Sequence, residues 1–224
     1  MSKGPLGFID AGQCEQGLPW QWDEPPQAAS STLILAHGAG APMDSPFMQA
    51  MAQGLAARGV RVVRFEFAYM AQRRLDGRKR PPNPQAQLLQ QWRDVHAQVR
   101  QRVAGPLAIG GKSMGGRMAS LLADELGVSA LICLGYPFYA AGKPEKPRVA
   151  HLAELRTPTL IIQGQRDALG NQETVAGYAL SAAIELHWLQ AADHDLKPLK
   201  ASGFTHEQHL ATAAGVMESF LGAK

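Results

Sequence analysis

Short apolar runs alternate along the chain with segments in which apolar residues recur every three or four positions. The runs are rich in valine, isoleucine and leucine, as is typical of strands buried on both faces, and they cover residues 31–37, 60–67, 106–112, 129–135, 158–163 and 184–190. The helical spacing predicts helices over 46–58, 83–103, the residues after 113, 171–182 and a last segment that begins at Thr205. This alternation predicts an α/β fold, in which helices cover both faces of a mostly parallel sheet.

The length of 224 residues favours one domain over residues 1–224. Residues 1–30 are rich in Gly, Pro and Gln and are poorly placed by the pattern; a short edge strand or hairpin is the element they suggest. About 20 residues separate Phe138 from the strand that begins at Pro158. That connection has room for a helical turn but not for a lid domain, so the sequence predicts an open, shallow pocket.

Composition excludes several classes of protein. The hydrophobic share of 46% and the charged share of 18% are those of a globular protein. No apolar stretch approaches the roughly 20 residues that span a bilayer, and no apolar signal core follows Met1–Pro5, so we expect a cytoplasmic protein without a membrane association. Cys14 and Cys133 are the two cysteines, and Cys133 lies in an apolar run, which indicates a buried thiol rather than a disulfide.

A glycine–serine motif ends the apolar run at 106–112. Gly111-Lys112-Ser113-Met114-Gly115 has the form G-x-S-x-G, and it lies between a predicted strand and a predicted helix. This is the context of the nucleophile elbow, a tight turn that holds a serine hydroxyl exposed above the sheet. Ser113 is therefore the candidate nucleophile.

An acid and a histidine follow Ser113 in the order that such an elbow requires. Asp167 lies in the turn after the strand at 158–163, and His194 follows the strand at 184–190. The chain order Ser113, Asp167, His194 is that of the α/β-hydrolase triad, and each residue follows the carboxyl end of a strand, where open α/β sheets have their sites. The sequence predicts that His194 removes the proton of Ser113 and that Asp167 orients the imidazole ring.

A loop of small residues follows the first buried strand. His37-Gly38-Ala39-Gly40-Ala41 allows the backbone to approach a substrate carbonyl, so the backbone N–H of Ala39 or Gly40 is predicted to form an oxyanion hole with that of Met114. His37 is expected to fix this loop by hydrogen bonding and to border the pocket. The other expected pocket residues are Tyr136, Pro137 and Phe138.

Together these segments resemble a known family. HGAGA (37–41), GGKSMGGRMA (110–119), LGYPF (134–138), GQRD (164–167) and ADHD (192–195) resemble the small, lidless α/β-hydrolases of the Tex/KANL type, which are related to dienelactone hydrolases. The resemblance extends from about residue 31 to the C-terminus, and it implies the α/β-hydrolase fold and the triad but no substrate. Dienelactone hydrolases have a cysteine where this chain has Ser113, so their activity is not implied.

The resulting hypothesis is a serine hydrolase that cleaves a small carboxylic ester or thioester, with no cofactor and no metal. The alternative is a non-catalytic α/β-hydrolase scaffold that acts as a protein-interaction module, since a fold does not guarantee chemistry. A Ser–Lys mechanism through Lys112 is disfavoured, because neighbours at a sharp turn point in different directions. A phosphate-binding loop at Gly111-Lys112-Ser113 would need glycine where Pro106 stands.

The net charge of +3 is unevenly distributed. Five basic residues against one acid, Asp76, leave a charge of +4 within 73–80; they are Arg73, Arg74, Arg78, Lys79 and Arg80. This predicted loop is either a basic rim that attracts an anionic substrate or partner or a solvated charged loop. Nucleic-acid binding is not supported, because no recognised motif accompanies the charge. Glu66, within the strand at 60–67, either faces the site or closes the strand.

Overall fold

The computed structural model of the protein describes residues 9–13 and 17–223. Within these ranges eight strands form one sheet, in the order β1-β2-β4-β3-β5-β6-β7-β8. The strands are β1 (Ile9–Gln13), β2 (Pro19–Asp23), β3 (Ser31–Ala36), β4 (Val60–Phe65), β5 (Leu107–Lys112), β6 (Leu131–Leu134), β7 (Thr159–Gly164) and β8 (Ile184–Leu189). Strands β3 to β8 pair in parallel, and β1 and β2 are antiparallel to their neighbours. The predicted α/β fold with a mostly parallel sheet is confirmed.

Helices cover both faces of this sheet. They are α1 (Pro46–Ala56), α2 (Ala68–Asp76), α3 (Gln85–Arg102), α4 (Met114–Ser120), α5 (Ala123–Leu126), α6 (Gln172–Val175) and α7 (His206–Gly222), with 3₁₀ helices at Ala150–Ala153 and Lys200–Ser202. Helices α1 and α7 pack on one face, and α2, α3 and α4 pack on the other. The predicted capping box opens α7, because the Thr205 side chain accepts a hydrogen bond from the Gln208 backbone N–H and the Gln208 side chain accepts one from the Thr205 backbone N–H.

The central strands separate two apolar cores. Leu33 and Leu35 of β3 lie in the core under α1 and α7, whereas Ile34 and Ala36 lie in the core under α3 and α4. Successive side chains of a strand point to opposite faces of a sheet. A strand between two layers of helices is therefore apolar at every position, which is why β3 reads as a continuous apolar run.

The N-terminal segment forms the edge hairpin that the sequence suggested. Strands β1 and β2 pair in register from Ile9 opposite Asp23 to Gln13 opposite Pro19, and β2 then pairs with β4. A buried ion pair ties this hairpin to the sheet, since Arg64 of β4 donates to both carboxylate oxygens of Asp23 at 2.8 and 2.9 Å. Cys14 lies outside the described residues, and Cys133 is a buried free thiol.

The structure contradicts two predictions about the segments between strands, one of a helix and one of a loop. The helix predicted over 171–182 ends after one turn, at Val175. Tight turns follow at Gly177 and Tyr178, and the Ser181 hydroxyl then donates to the Leu155 carbonyl at 2.6 Å. The long loop expected after the strand at 60–67 contains α2, which ends at Gly77 in the left-handed conformation (φ 70°). Arginines in the last turn followed by glycine are a helix C-terminal signal, and they could have located this helix in the sequence.

The connection that would hold a lid is short, as predicted. Between Leu134 and Thr159 the only regular element is the 3₁₀ helix Ala150–Ala153. No helix in the described ranges is both long and apolar enough to cross a membrane.

Candidate active site

Ser113 occupies a strained turn between β5 and α4. Its backbone dihedrals are φ 50° and ψ −115°, a conformation that costs a residue with a Cβ about 1–3 kcal/mol. A Cβ added to Gly111 would lie 2.6 Å from the backbone of Gly115, and a Cβ added to Gly115 would lie 2.6 Å from the His37 carbonyl oxygen. The two glycines of the motif are therefore required by close backbone approach, as expected for a nucleophile elbow.

The structure brings Ser113, His194 and Asp167 together in one hydrogen-bond chain. His194 Nδ1 lies 2.8 Å from Asp167 Oδ2, and His194 Nε2 lies 2.9 Å from Ser113 Oγ. Because an ionised carboxylate only accepts, Nδ1–H donates to Asp167 and Nε2 is left to accept the Ser113 hydroxyl proton. Asp167 is fully buried, whereas the His194 side chain is 27% exposed.

A glutamine that sequence reasoning missed positions the acid. Gln163, the fifth residue of β7, is fully buried and donates from Nε2 to Asp167 Oδ2 at 2.8 Å and to the Gly170 carbonyl at 3.0 Å. Asp167 Oδ1 accepts the Leu169 backbone N–H at 2.8 Å. The carboxylate therefore has protein donors on both oxygens, which restricts its rotation. A single glutamine at the end of a strand gives no pattern in the sequence from which this positioning role could be predicted.

Lys112, the neighbour of the serine, is engaged with the histidine loop. Its ammonium donates to the His194 carbonyl at 2.8 Å and lies 3.2 Å from Asp195 Oδ1. Burial lowers the pKa of Lys112 from its ordinary value, and the Asp195 carboxylate opposes this effect. The contact holds the backbone of His194, and Ser113 Oγ has His194 rather than Lys112 as its partner.

The segment 37–44 contains residues predicted to form the oxyanion hole, and we call it the oxyanion loop. Hydrogen bonds to its backbone carbonyl groups hold it in place. His37 is fully buried; its Nδ1–H donates to the Gly38 carbonyl at 2.6 Å, and its Nε2 accepts the Phe67 N–H at 3.1 Å. Tyr69 Oη donates to the Ala39 carbonyl at 3.0 Å. Burial lowers the pKa of His37 and raises that of Tyr69, which keeps both rings in their neutral forms.

These contacts also orient the amide groups of the loop. The carbonyl and N–H of one trans peptide point in opposite directions. Since Tyr69 binds the Ala39 carbonyl and Arg73 binds that of Gly40 at 3.1 Å, the N–H groups of Gly40 and Ala41 point away from α2. The amides of Ala39, Gly40 and Met114 have no acceptor within residues 9–13 and 17–223. They are therefore free to donate to a ligand.

An ion network fastens the far end of the oxyanion loop. Glu66 is fully buried, accepts the Met43 N–H at 3.3 Å and is paired with Arg74. Arg74 also donates to both carboxylate oxygens of Asp44 at 2.9 Å. The hydrogen bonds with Glu66 and then Asp44 raise the pKa of Arg74, and those from Arg74 lower the pKa of Asp44. Of the two interpretations left open for Glu66, the structure favours a structural role behind the site.

Two clefts meet at Ser113. The first, the Phe47 cleft, has a volume of about 340 Å³ and extends from Ser113 past the oxyanion loop to Phe47 and Met48. The second, the Arg117 cleft, has a volume of about 430 Å³ and lies on the side of α4; it is lined by Ala39, Pro82, Asn83, Gln85, Leu88, Ser113, Met114, Arg117, Met118, Pro137, Tyr139, Ala140, Ala141, Arg148 and Leu169. Both are open, in keeping with the absence of a lid.

Three of the expected pocket residues do not border either cleft. His37, Tyr136 and Phe138 are fully buried, so their prediction as pocket residues is wrong. His37 holds the oxyanion loop from behind, and Tyr136 and Phe138 pack edge to face in the core at 4.9 Å between ring centroids. Pro137, which lies between them, does line the Arg117 cleft. An aromatic run after a strand indicates burial but not which side chains turn outward.

Most of the basic cluster at 73–80 is engaged in internal contacts. Arg73 and Arg74 belong to α2 and bind the oxyanion loop and its neighbours, and Arg80 is paired with Asp76. Sequence reasoning missed the cationic pair Arg117 and Arg148, which lines a cleft that contains Ser113. The two are 31 positions apart, and only the tertiary structure brings them to one cleft.

Within the described ranges, no group of three or more His, Cys, Asp and Glu side chains is arranged to hold a metal ion. The absence of a cofactor and of a metal requirement stays a prediction.

Comparison with known proteins identifies the fold and the family of this chain. A family model described as "Alpha/beta hydrolase domain" matches residues 29–222. An α/β serine hydrolase homologue from Coxiella burnetii superposes with a TM-score of 0.71 at 19% identity, over 97% of this chain and 99% of that chain.

Two further solved structures have the same fold. An α/β serine hydrolase without a lid from Xanthomonas campestris has a TM-score of 0.69 at 22% identity, over 97% of this chain and 96% of that chain. A dienelactone hydrolase from Anabaena variabilis has a TM-score of 0.69 at 20% identity, over 96% of each chain. These identities establish the fold alone, and the family match extends over most of the chain. The protein is therefore a member of the α/β-hydrolase family and a hydrolase by family.

Proposed function

We propose that the protein is a serine hydrolase that cleaves a small carboxylic ester or thioester through an acyl-enzyme. The observation that carries the proposal is the hydrogen-bond chain from Ser113 Oγ through His194 to buried Asp167. The strained backbone of Ser113 supports it, because strain of this kind concentrates at functional sites. A cytoplasmic location is part of the same proposal.

In the first half-reaction, Ser113 Oγ attacks the carbonyl carbon while its proton passes to His194 Nε2. Asp167 stabilises the imidazolium ion that forms. The negative oxygen of the tetrahedral intermediate accepts hydrogen bonds from Met114 N–H and from Ala39 or Gly40 N–H, each worth roughly 3–4 kcal/mol in the transition state. The alcohol or thiol then leaves with the proton from His194.

In the second half-reaction, water gives a proton to His194 and attacks the acyl carbonyl. The carboxylic acid leaves as Ser113 regains its proton. The two open clefts beside Ser113 provide space for the acyl group and the leaving group. Their short, open form suits a small ester or thioester better than a long lipid.

The test is labelling with a fluorophosphonate followed by intact-mass analysis. We expect one adduct on the wild type, none on Ser113→Ala and slow labelling of His194→Ala. The matched control is Ser129→Ala, a serine just before β6 at the opposite edge of the sheet, which is expected to label like the wild type.

Activity on a panel of esters, thioesters and peptide amides then defines the bond that is cleaved. In Ser113→Ala we expect kcat to fall by roughly 10⁴-fold or more, since a triad residue acts as part of a unit. An unlabelled, folded wild-type protein that cleaves none of these bonds would contradict the proposal and favour the non-catalytic interaction module.

A further inference from the structure

Arg117 presents a guanidinium group to the candidate active site, and no carboxylate of the described residues is paired with it. It lies on α4, one turn after the serine, and its backbone N–H donates to the Ser113 carbonyl at 3.0 Å. Its Nε is buried without a hydrogen-bond partner in the described structure, and its Nη2 donates a long hydrogen bond of 3.4 Å to Gln85 Oε1. A guanidinium has five donors, and one of them has an acceptor among the described residues.

A second unpaired cation lies at the same cleft. Arg148 lines the Arg117 cleft, and its side chain makes no ion pair with any described residue. Burial lowers the pKa of Arg117, nearby Tyr136 opposes this, and the charge of Arg148 lowers it further. Two cations that repel each other in a half-buried cleft are stabilised when an anion binds between them.

The described residues that line the Arg117 cleft include no acid. The charged residues in its lining are Arg117 and Arg148, the polar ones include Asn83 and Gln85, and the apolar ones include Leu88. Of the twelve other arginines, all within the described residues, six are each paired with at least one carboxylate: Arg61, Arg64, Arg74, Arg80, Arg93 and Arg156. Planar guanidinium groups bind carboxylates through two parallel hydrogen bonds.

We propose that Arg117, assisted by Arg148, binds a carboxylate group of the substrate, so that the preferred substrates are short esters or thioesters with a free carboxylate. This inference rests on the proposed function and names the substrate class. The serine and Arg117 are separated by one helical turn, about 5.4 Å along the axis. Because Ser113, Arg117 and Arg148 line one cleft of about 430 Å³, the carboxylate and the carbonyl that is attacked belong to one short molecule, with the carboxylate on either the acyl chain or the leaving group.

Three phenyl esters, one of them a neutral reference, test the proposal and show whether the carboxylate belongs on the acyl chain or on the leaving group. Phenyl pentanoate is neutral, monophenyl glutarate has a carboxylate at the end of an acyl chain of equal length, and 3-carboxyphenyl pentanoate has it on the leaving group. The quantity compared is the ratio of kcat/KM for a carboxylated ester to kcat/KM for phenyl pentanoate. For one of the two carboxylated esters we expect this ratio to be at least about 10-fold lower in Arg117→Gln than in the wild type, because hydrogen bonds to charged groups are strong.

Two variants serve as controls for this ratio. Arg117→Lys keeps the charge without the planar fork and is expected to restore part of the preference. Arg58→Gln also removes one positive charge, but Arg58 lies before β4, at the opposite edge of the sheet, and is expected to leave the ratio and the basal activity unchanged. A ratio that is the same in the wild type and in Arg117→Gln for both carboxylated esters would overturn the proposal.

A binding measurement separates this proposal from the proposed function. Calorimetry with glutarate on Ser113→Ala is expected to show binding that weakens at least about 10-fold when Arg117→Gln is added, as for the loss of a charged hydrogen bond. If fluorophosphonate labels Ser113 but neither selectivity nor glutarate binding depends on Arg117, the carboxylate site is wrong and the hydrolase stands. If Ser113 is not labelled but glutarate binding depends on Arg117, the carboxylate site stands and the hydrolase proposal fails.

Discussion

Arginines lie on both sides of Ser113, but they differ in what they contact. On the side of the oxyanion loop, Arg73 binds the Gly40 carbonyl and Arg74 is paired with Glu66 and Asp44. On the side of α4, Arg117 and Arg148 line a cleft whose described lining contains no acid. The first group holds the protein's own backbone in place, and the second has hydrogen-bond donors left for a ligand.

This difference shows that a count of basic residues does not locate an anion site. The +4 cluster at 73–80 is the most prominent charge feature of the sequence, yet three of its five basic residues are engaged within the fold: Arg74 and Arg80 with carboxylates and Arg73 with the Gly40 carbonyl. A paired guanidinium has already exchanged its water for a carboxylate and has little to gain from a second anion. An unpaired, half-buried one has lost part of its hydration without compensation, so a ligand carboxylate stabilises it more.

Among the changes that test the difference between the two arginine groups, breaking the Glu66–Arg74 pair has the largest expected effect. Arg74→Met leaves the fully buried Glu66 carboxylate without its counter-ion, and we expect the free energy of unfolding to fall by about 3 kcal/mol, at the lower end for buried pairs because Arg74 is partly exposed. Urea unfolding measures the change.

The double variant Glu66→Gln with Arg74→Met is the control. It removes the negative charge of Glu66 as well as the positive charge of Arg74, and it is expected to recover much of the lost free energy of unfolding. Equal stability of the wild type and Arg74→Met would mean that the oxyanion loop is not held by this network.

A smaller effect, dependent on pH, is expected from His37 behind the same loop. Burial lowers its pKa below the unfolded value of about 6.5, so below that pH the unfolded chain binds a proton that the folded protein does not. Stability is therefore fully present above pH 6.5 and falls as the pH decreases toward the folded pKa, by at most about 1.4 kcal/mol per pH unit.

His37→Gln keeps a donor and an acceptor but does not titrate. We expect the fall in unfolding free energy between pH 7 and pH 5 to be shallower in His37→Gln than in the wild type. His96 and His151, whose pKa values burial also lowers, contribute to the remaining slope in both proteins. Identical slopes would show that His37 is not the titrating group.

The smallest effect is expected from the exposed part of the basic cluster. Arg78 follows α2 in a solvated segment, where salt screens a single charge. Arg78→Gln is therefore expected to change the kcat/KM ratio of carboxylated to neutral ester by less than about twofold. A loss as large as that in Arg117→Gln would instead support the basic rim that the sequence suggested, and it would remove the distinction between the two arginine groups.

Some elements of this fold follow from local patterns alone. The apolar runs predicted every central strand to within a few residues, because a strand buried on both faces must be apolar throughout. The glycines at 111 and 115 marked the turn at Ser113, since no other side chain fits there. The helix predicted over 171–182 forms only over Gln172–Val175, and the segment after it contacts Leu155 through Ser181, 26 positions away, a contact that no local pattern indicates.

The sequence by itself determined the order of the six parallel strands and of the helices α1, α3, α4 and α7, and it singled out the three residues of the proposed triad. Each of these depends on neighbours within a few positions: an apolar period, a tight turn, or a residue just beyond a strand end. Only the tertiary structure decided which side chains face the clefts and which charges are paired. Arg64 reaches Asp23 across 41 positions and Lys112 reaches His194 across 82. Burial and ion pairing are set by residues that meet only when the chain folds, so a local pattern contains no record of them.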